Sequence, residues 1–339
     1  TLVPKYQWTL PEPLRCLEVV FGNGDRVWTG DAGAAMGSLE EQWKLGFAQM
    51  QALGPAQIDY HRLVSAAQGS IGIVTWASIK CEILPQIHKF FFISAERLED
   101  LIDCAHSLLR VRLGDEFLLL NSMDLASILG KGGDRIRARR EKLPPWVVII
   151  GIAGRDMLPQ ERVEFQEADI RDIAQQFGVK PVSAIDGVSG KQMLKTILNP
   201  SKEPYWKLDY RGGCQDIFFL TTLNKTPELI KTMYSVAEEL DYPTSDIGIY
   251  LQPQQQGISC HCEFSLPYNP DDLGEVTKVR GLLTKASEEL IKKGAFFSRP
   301  YGIWADMVYR RDEPTTTVLK KVKDIFDPNN VLNPGKLCF

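Results

Sequence analysis

The chain reads as an α+β protein whose larger part is an antiparallel sheet flanked by helices. Three observations predict this. Residues 1–85 read as strands and turns with one helical insert. After Pro85, short apolar strands alternate with helices of 3.6-residue periodicity, the pattern of two β-α-β units. The last helical run, carrying Val318, Leu319, Val322 and Ile325, enters Phe326-Asp327-Pro328-Asn329-Asn330-Val331-Leu332-Asn333-Pro334-Gly335-Lys336. Asp-Pro and Asn-Pro stop it there, because proline has no N–H and restricts the residue before it. The predicted regions are 1–85, 86–294 and 295–339.

Each element has a local reason. Leu17–Phe21 is a strand, Gly22-Asn23-Gly24-Asp25 a turn with positive-φ residues, and Arg26–Thr29 the return strand. Ser38 to about Leu53 has helical spacing, with a Ser38…Glu41 capping box. Gly69-Ser70-Ile71-Gly72-Ile73-Val74-Thr75 leads into alternating Ala77, Ile79, Cys81 and Ile83. In the central region Phe90–Ile93 and Val147–Ile152 read as buried strands. Ala95–Leu113 is a helix with Leu98, Leu101, Ile102, Ala105, Leu108 and Leu109 on one face. Glu161–Phe177 is helical and ends at Gly178. Strand Ile217–Leu223, helix Pro227–Leu240 with its starting proline, strands Ile247–Leu251 and Ile258–Phe264, and helix Asp271–Lys293 complete it. Gly130–Lys142 reads as a basic, glycine-led surface loop.

Composition bounds the class. The chain has 339 residues, is 44% hydrophobic and 24% charged, and carries a net charge of −4. That is an ordinary globular composition with length for two domains. The charge argues against nucleic acid as the main partner. No run of about 18 apolar residues marks a spanning helix. Seven cysteines without a compact framework read as free thiols in a reducing compartment, the cytoplasm. Cys260-His261-Cys262 contains a C-x-C without a second pair, so no metal site is expected.

Strand alternation puts Ser259, His261 and Glu263 on one face and Cys260, Cys262 and Phe264 on the other. A polar face in an otherwise apolar sheet lines a cavity, and His261 is its chemically capable member. Arg299, within Phe297-Ser298-Arg299-Pro300-Tyr301-Gly302-Ile303-Trp304, suits pairing with a phenolate or carboxylate. Asp209-Tyr210-Arg211 is a weaker candidate.

The terminal Phe326–Lys336 segment resembles the C-terminal signature of FAD-linked oxidases of the vanillyl-alcohol oxidase and 4-cresol dehydrogenase superfamily. Leu17-Glu18-Val19-Val20, Asn23-Gly24 and Gly69-x-x-Gly72-Ile73-Val74-Thr75 resemble the later half of that superfamily's PCMH-type FAD-binding domain. The resemblance implies that 1–85 is the second part of the flavin domain, 86–294 a substrate-binding cap, and 295–339 a segment returning to the flavin domain. It places the pyrophosphate loop and an acidic catalytic residue before Thr1.

The implied cofactor is FAD, with Gly69, Gly72, Ile73, Val74, Asn333 and Lys336 against it, glycine allowing close backbone approach. His261 matches the position that bonds the flavin in that branch, so it is either a covalent anchor or a pocket imidazole. Arg299 matches the branch's arginine. Ser298 replaces its tyrosine, and Tyr301 is left to supply a hydroxyl. The implied reaction is hydride transfer from an alcohol or 4-alkylphenol to flavin N5. The alternatives are a D-2-hydroxy-acid dehydrogenase of lactate or glycolate type, and a non-catalytic subunit. The expected partners are a small aromatic substrate and an electron acceptor (oxygen, a cytochrome or another carrier). A second copy, or a chain carrying the missing half of the flavin domain, completes them.

Overall fold

The computed structural model describes residues 14–29, 37–44, 60–79, 81, 83–198, 205–254 and 257–339. Two compact units emerge, one formed by Pro11–Glu82 with Arg299–Phe339, the other containing Ile83–Ser298. The predicted helix beyond Lys44 lies outside the described residues.

In the first unit, β1 (Leu14–Phe21) is the centre of a three-stranded antiparallel sheet between β2 (Arg26–Trp28) and β3 (Gly72–Ile79). Leu17, Val19 and Phe21 point to one side and are buried with Ala67 and Ile71. Phe326 and Phe339 of the terminal segment pack on them. The β1–β2 turn differs in one detail from its sequence reading. Gly24 takes the positive φ, +91°. Gly22 is glycine for another reason: a Cβ there would lie 2.3 Å from Asp327 Oδ1. Asn23 closes the turn by accepting from Asp25 N at 2.9 Å. The capping box at Ser38 is formed, Glu41 N donating to Ser38 Oγ at 3.3 Å and Ser38 N to Glu41 Oε2 at 2.6 Å.

The second unit is built on a six-stranded antiparallel sheet of order β4-β6-β5-β10-β11-β9. Its strands are β4 (Ile87–Ala95), β5 (Glu116–Asn121), β6 (Trp146–Gly154), β9 (Gly213–Thr221), β10 (Gly248–Gln254) and β11 (Ser259–Tyr268). A short hairpin, β7 (Ala184–Ile185) and β8 (Val188–Ser189), stands apart. The sheet has two halves of one design. In the first, β4, helix Glu99–Arg110 and β5 form a split β-α-β unit with β6 between the strands. In the second, β9, helix Thr226–Glu239 and β10 do the same around β11. Each half is followed by a long helix, Pro159–Gln176 or Leu273–Lys292.

Period-2 alternation sorts the side chains. Phe91, Ile150, Phe117, Leu119, Leu251, Cys262, Phe264 and Phe219 fall on one face by register and are buried. The other face changes character across the sheet. Over β4-β6-β5 it is apolar, with Phe90, Phe92, Leu118, Leu120, Val147 and Ile149 under helices Ser122–Leu129 and Gly190–Leu198. Over β10-β11-β9 it is polar.

The expectation of a loop at Gly130–Lys142 is corrected: Gly133–Arg140 is a helix. Its charges gave no amphipathic pattern, but Ile136 is fully buried in the core cluster. Distant carboxylates anchor it, Arg139 with Asp186 at 2.9 Å and Arg140 with Asp246 at 2.9 Å. Ile136→Ala is expected to destabilise this unit by about 2–5 kcal/mol, the range for deleting a buried aliphatic side chain. Chemical denaturation of the variant measures it.

Candidate functional site

In the first unit, the candidate residues converge on the loop before β3. Gly69 has φ +74° and Gln68 φ +53°. Gln68 is a hub that the sequence reading missed. Its carbonyl accepts from Asn333 Nδ2 at 2.5 Å, and its Nε2 donates to Pro300 O at 2.7 Å. The loop therefore holds both the Arg299–Tyr301 segment and the terminal Asn333. Tyr301 is exposed, its ring 4.9 Å from that of the buried Trp304. Arg299 and Lys336 are exposed. Gly72 is glycine for a packing reason: a Cβ there would meet Val19 Cγ2 at 2.6 Å. β3 is an edge strand, with Ile73 and Val74 55% and 43% exposed.

Lys323 and Asp327 fix this arrangement. Lys323 lies in the last turn of helix Glu313–Phe326 and Asp327 caps its end, and they are 3% and 1% exposed. Their ion pair is 2.5 Å long. Lys323 Nζ also donates to Ser70 O at 2.7 Å and Leu332 O at 3.1 Å. Asp327 accepts from the N–H groups of Val331 and Leu332 at 2.9 and 2.8 Å. Burial acts to raise the Asp327 pKa, but Lys323 and these N–H groups hold it below the ordinary carboxylate range. One ammonium thus ties the glycine loop, the helix end and the Pro-Gly tail together.

In the second unit the polar face is built by β9, β10 and β11. Opposite residues in register are Gln252, His261 and Leu220, then Tyr250, Glu263 and Phe218, then Gly248, Ser265 and Asp216. Lys207, on the short 3₁₀ turn Trp206–Leu208, reaches into this face with only 4% of its side chain exposed. Its Nζ donates to Asp216 Oδ1 at 2.7 Å and to Glu263 Oε1. Burial works against its charge, yet Glu263 and Asp216 raise its pKa above the ordinary lysine value. Burial likewise opposes ionisation of Glu263. Hydrogen bonding from His261 and the charge of Lys207 overcome it and hold the carboxylate well below its usual range. His261 Nε2 lies 3.2 Å from Glu263 Oε2. The rings of Phe218 and Tyr250, each 5.9 Å from the imidazole by centroid, flank it.

Asp124 packs against this face at Gly248. It is fully buried, and burial pushes its pKa up to about 7, with Lys207 opposing. Its Oδ2 and Ser265 Oγ have no hydrogen-bond partner among the described residues. Both side chains press on Gly248, where a Cβ would lie 2.2 Å from Asp124 Oδ1 and 3.2 Å from Ser265 Cβ.

Cys260 and Cys262 are fully buried on the opposite, apolar face. Burial raises both thiols. The Asp209-Tyr210-Arg211 segment belongs to an ion-pair network. Tyr210 OH donates to Asp246 Oδ1 at 3.2 Å, and Arg211 pairs with Glu275. His88, on β4, pairs with buried Glu116 at 2.8 Å. A groove of about 650 Å³ lined by Glu96, Arg97, Trp146, Lys231 and Tyr234 shares no residue with the polar face. No helix among the described residues is long and apolar enough to cross a membrane.

Comparison with known proteins comes from two directions. Residues 302–337 match the family described as FAD linked oxidases, C-terminal domain. No curated protein matches the chain. Among solved structures, p-cresol methylhydroxylase with substrate bound is similar over 96% of this chain and 65% of its own, at 18% identity and a TM-score of 0.70. The 4-ethylphenol oxidase of Gulosibacter chungangensis, in an isoeugenol complex, is similar over 95% and 65%, at 18% identity and a TM-score of 0.75. An alkyldihydroxyacetonephosphate synthase is similar over 96% and 54%, at 13% identity and a TM-score of 0.55. The chain thus has the α+β fold of these proteins and spans about two thirds of the length of the first two.

Two outcomes test the site's construction. Lys323→Met leaves Asp327 buried without its cation and is expected to destabilise the first unit by about 3 kcal/mol, which chemical denaturation measures. Asp124 has a raised pKa, so the folded state binds its proton more tightly than the unfolded state does. Its stability cost therefore grows as pH rises from about 4 to about 7. Asp124→Asn removes that dependence, so thermal denaturation should show the variant gaining on the parent between pH 5 and pH 8.

Proposed function

We propose that this chain is the later part of the FAD-binding domain and the cap of a flavin-dependent oxidoreductase, oxidising an alcohol or 4-alkylphenol-type substrate. The observation that carries this is the FAD-linked-oxidase tail, residues 302–337, locked by Lys323 and Asn333 onto the Gln68–Ser70 loop. The likeness in fold to phenol-oxidising enzymes supports the substrate class.

The residues present fit a flavin. The positive-φ Gly69 leaves room beside Asn333, its nearest Cβ neighbour at 3.6 Å. β3 offers exposed Ile73 and Val74 on a strand that is an edge of its sheet among the described residues, apolar contact for a planar ligand. When bound, FAD supplies the hydride acceptor, N5. Gly69, Gly72, Ile73, Val74, Asn333 and Lys336 are the residues assigned to hold it.

Arg299 is assigned the anion. A guanidinium is always charged and planar, so it stabilises a phenolate or the negative charge that develops on hydride transfer. Tyr301 is assigned the hydroxyl that orients substrate, and His261 the pocket imidazole on the cap. The cofactor provides the redox chemistry, and the protein provides orientation and charge.

Anaerobic mixing of the FAD-loaded protein with candidate substrates tests this. Bleaching of the flavin absorbance by 4-alkylphenols or aryl alcohols is expected. Bleaching by D-lactate or glycolate alone would select the hydroxy-acid reading, and no bleaching by either class would leave a non-catalytic subunit. Arg299→Ala should slow reduction about 100-fold, the scale of losing one preorganised charge donor, with partial recovery in Arg299→Lys.

A further inference from the structure

The polar face of β11 contains a directed chain of contacts that starts at an ammonium and ends at one nitrogen of an imidazole. Lys207 Nζ takes one oxygen of Glu263, Oε1, and also Asp216 Oδ1 at 2.7 Å. The second oxygen, Glu263 Oε2, is thereby turned to His261 Nε2 at 3.2 Å. A carboxylate bound to an ammonium accepts hydrogen bonds and donates none. The hydrogen in the Glu263–His261 contact therefore belongs to the ring. One lysine faces two carboxylates, so the cluster keeps an excess negative charge that favours a donor at Nε2.

Two further observations fix the ring. Phe218 and Tyr250 flank it, tilted 31° and 74° to its plane. The Tyr250 hydroxyl is engaged elsewhere, donating to Gln252 Oε1 at 3.0 Å. No hydrogen bond reaches Nδ1 from any described residue, whereas Nε2 has its carboxylate. A neutral imidazole carries its hydrogen on one nitrogen only, and the bond made by that nitrogen decides which.

We propose that Lys207, Asp216 and Glu263 are positioning residues that hold His261 in its Nε2–H tautomer, leaving the Nδ1 lone pair as the acceptor offered to a ligand hydroxyl. The ligand class, an alcohol or phenol whose O–H would donate to Nδ1, rests on the oxidoreductase reading above. The tautomer does not.

The test is the imidazole nitrogen spectrum of the full-length protein labelled with ¹⁵N-histidine, with His261→Gln identifying the resonances. The wild type should show a protonated Nε2 and an unprotonated Nδ1. In Glu263→Gln, the Lys207 ammonium claims the amide oxygen and turns the amide NH₂ toward Nε2, which must then accept. The ring hydrogen should move to Nδ1. Adding Lys207→Met frees the amide to turn over, and the Nε2–H form should return.

A wild-type ring protonated at Nδ1 would overturn the proposal, as would an Nε2–H ring that persists in Glu263→Gln. Persistence of the Nδ1–H form in the double variant would remove Lys207 from the mechanism. The wild-type spectrum decides the tautomer even where a variant fails to fold. A protein that shows the expected tautomer and switch but binds no FAD would sink the oxidoreductase reading and leave this one standing.

Discussion

Strand alternation in the six-stranded sheet is the constraint from which both the core and the candidate site follow. Each side chain of β11 must go to one face or the other. Cys260, Cys262 and Phe264 go to the face that carries helix Leu273–Lys292 and are completely buried. Their neighbours Ser259, His261 and Glu263 are forced to the opposite side. That side receives a buried lysine in place of a helix face. A buried ammonium is costly unless it is paired and hydrogen-bonded, and Lys207 has Asp216 and Glu263 for this purpose. The polar face is thus a consequence of the core, and the orientation of His261 is a consequence of the lysine.

The same economy appears in the other unit on a smaller scale. Lys323 and Asp327 pair with each other at helical i, i+4 spacing, and their remaining side-chain bonds reach beyond the helix. They satisfy carbonyls and N–H groups of the Ser70 loop and the Val331–Leu332 turn. Proline stops the helix, and the ion pair decides where the chain goes next. Gly22 makes room for it, since any side chain there would strike the Asp327 carboxylate.

Much of this was legible in the sequence, and the misses have physical causes. The alternation of Ser259, His261 and Glu263 could be read because a strand's period is short and local. The tail could be read because Pro and Gly act on their immediate neighbours. Lys207 could not: its partner Glu263 is 56 residues away, and nothing local marks a lysine that will be buried. Helix Gly133–Arg140 was hidden because Ile136 alone among its residues is buried, so no periodic apolar face exists. Gly72 was read for close backbone approach to a ligand, and packing supplies a second reason for it, since a Cβ there would meet Val19 and Phe21. A glycine announces a close approach and leaves the neighbour unnamed.

This fold and this tail are proposed to serve a bound flavin. The most direct measurement is the visible absorbance of the natural protein, before and after acid precipitation, with added FAD if the preparation is colourless. A flavin spectrum is expected. Colour in the pellet would assign a covalent bond and put His261 first as its anchor, and colour in the supernatant would make His261 a pocket residue. A colourless protein that takes up no FAD would rule the flavin out.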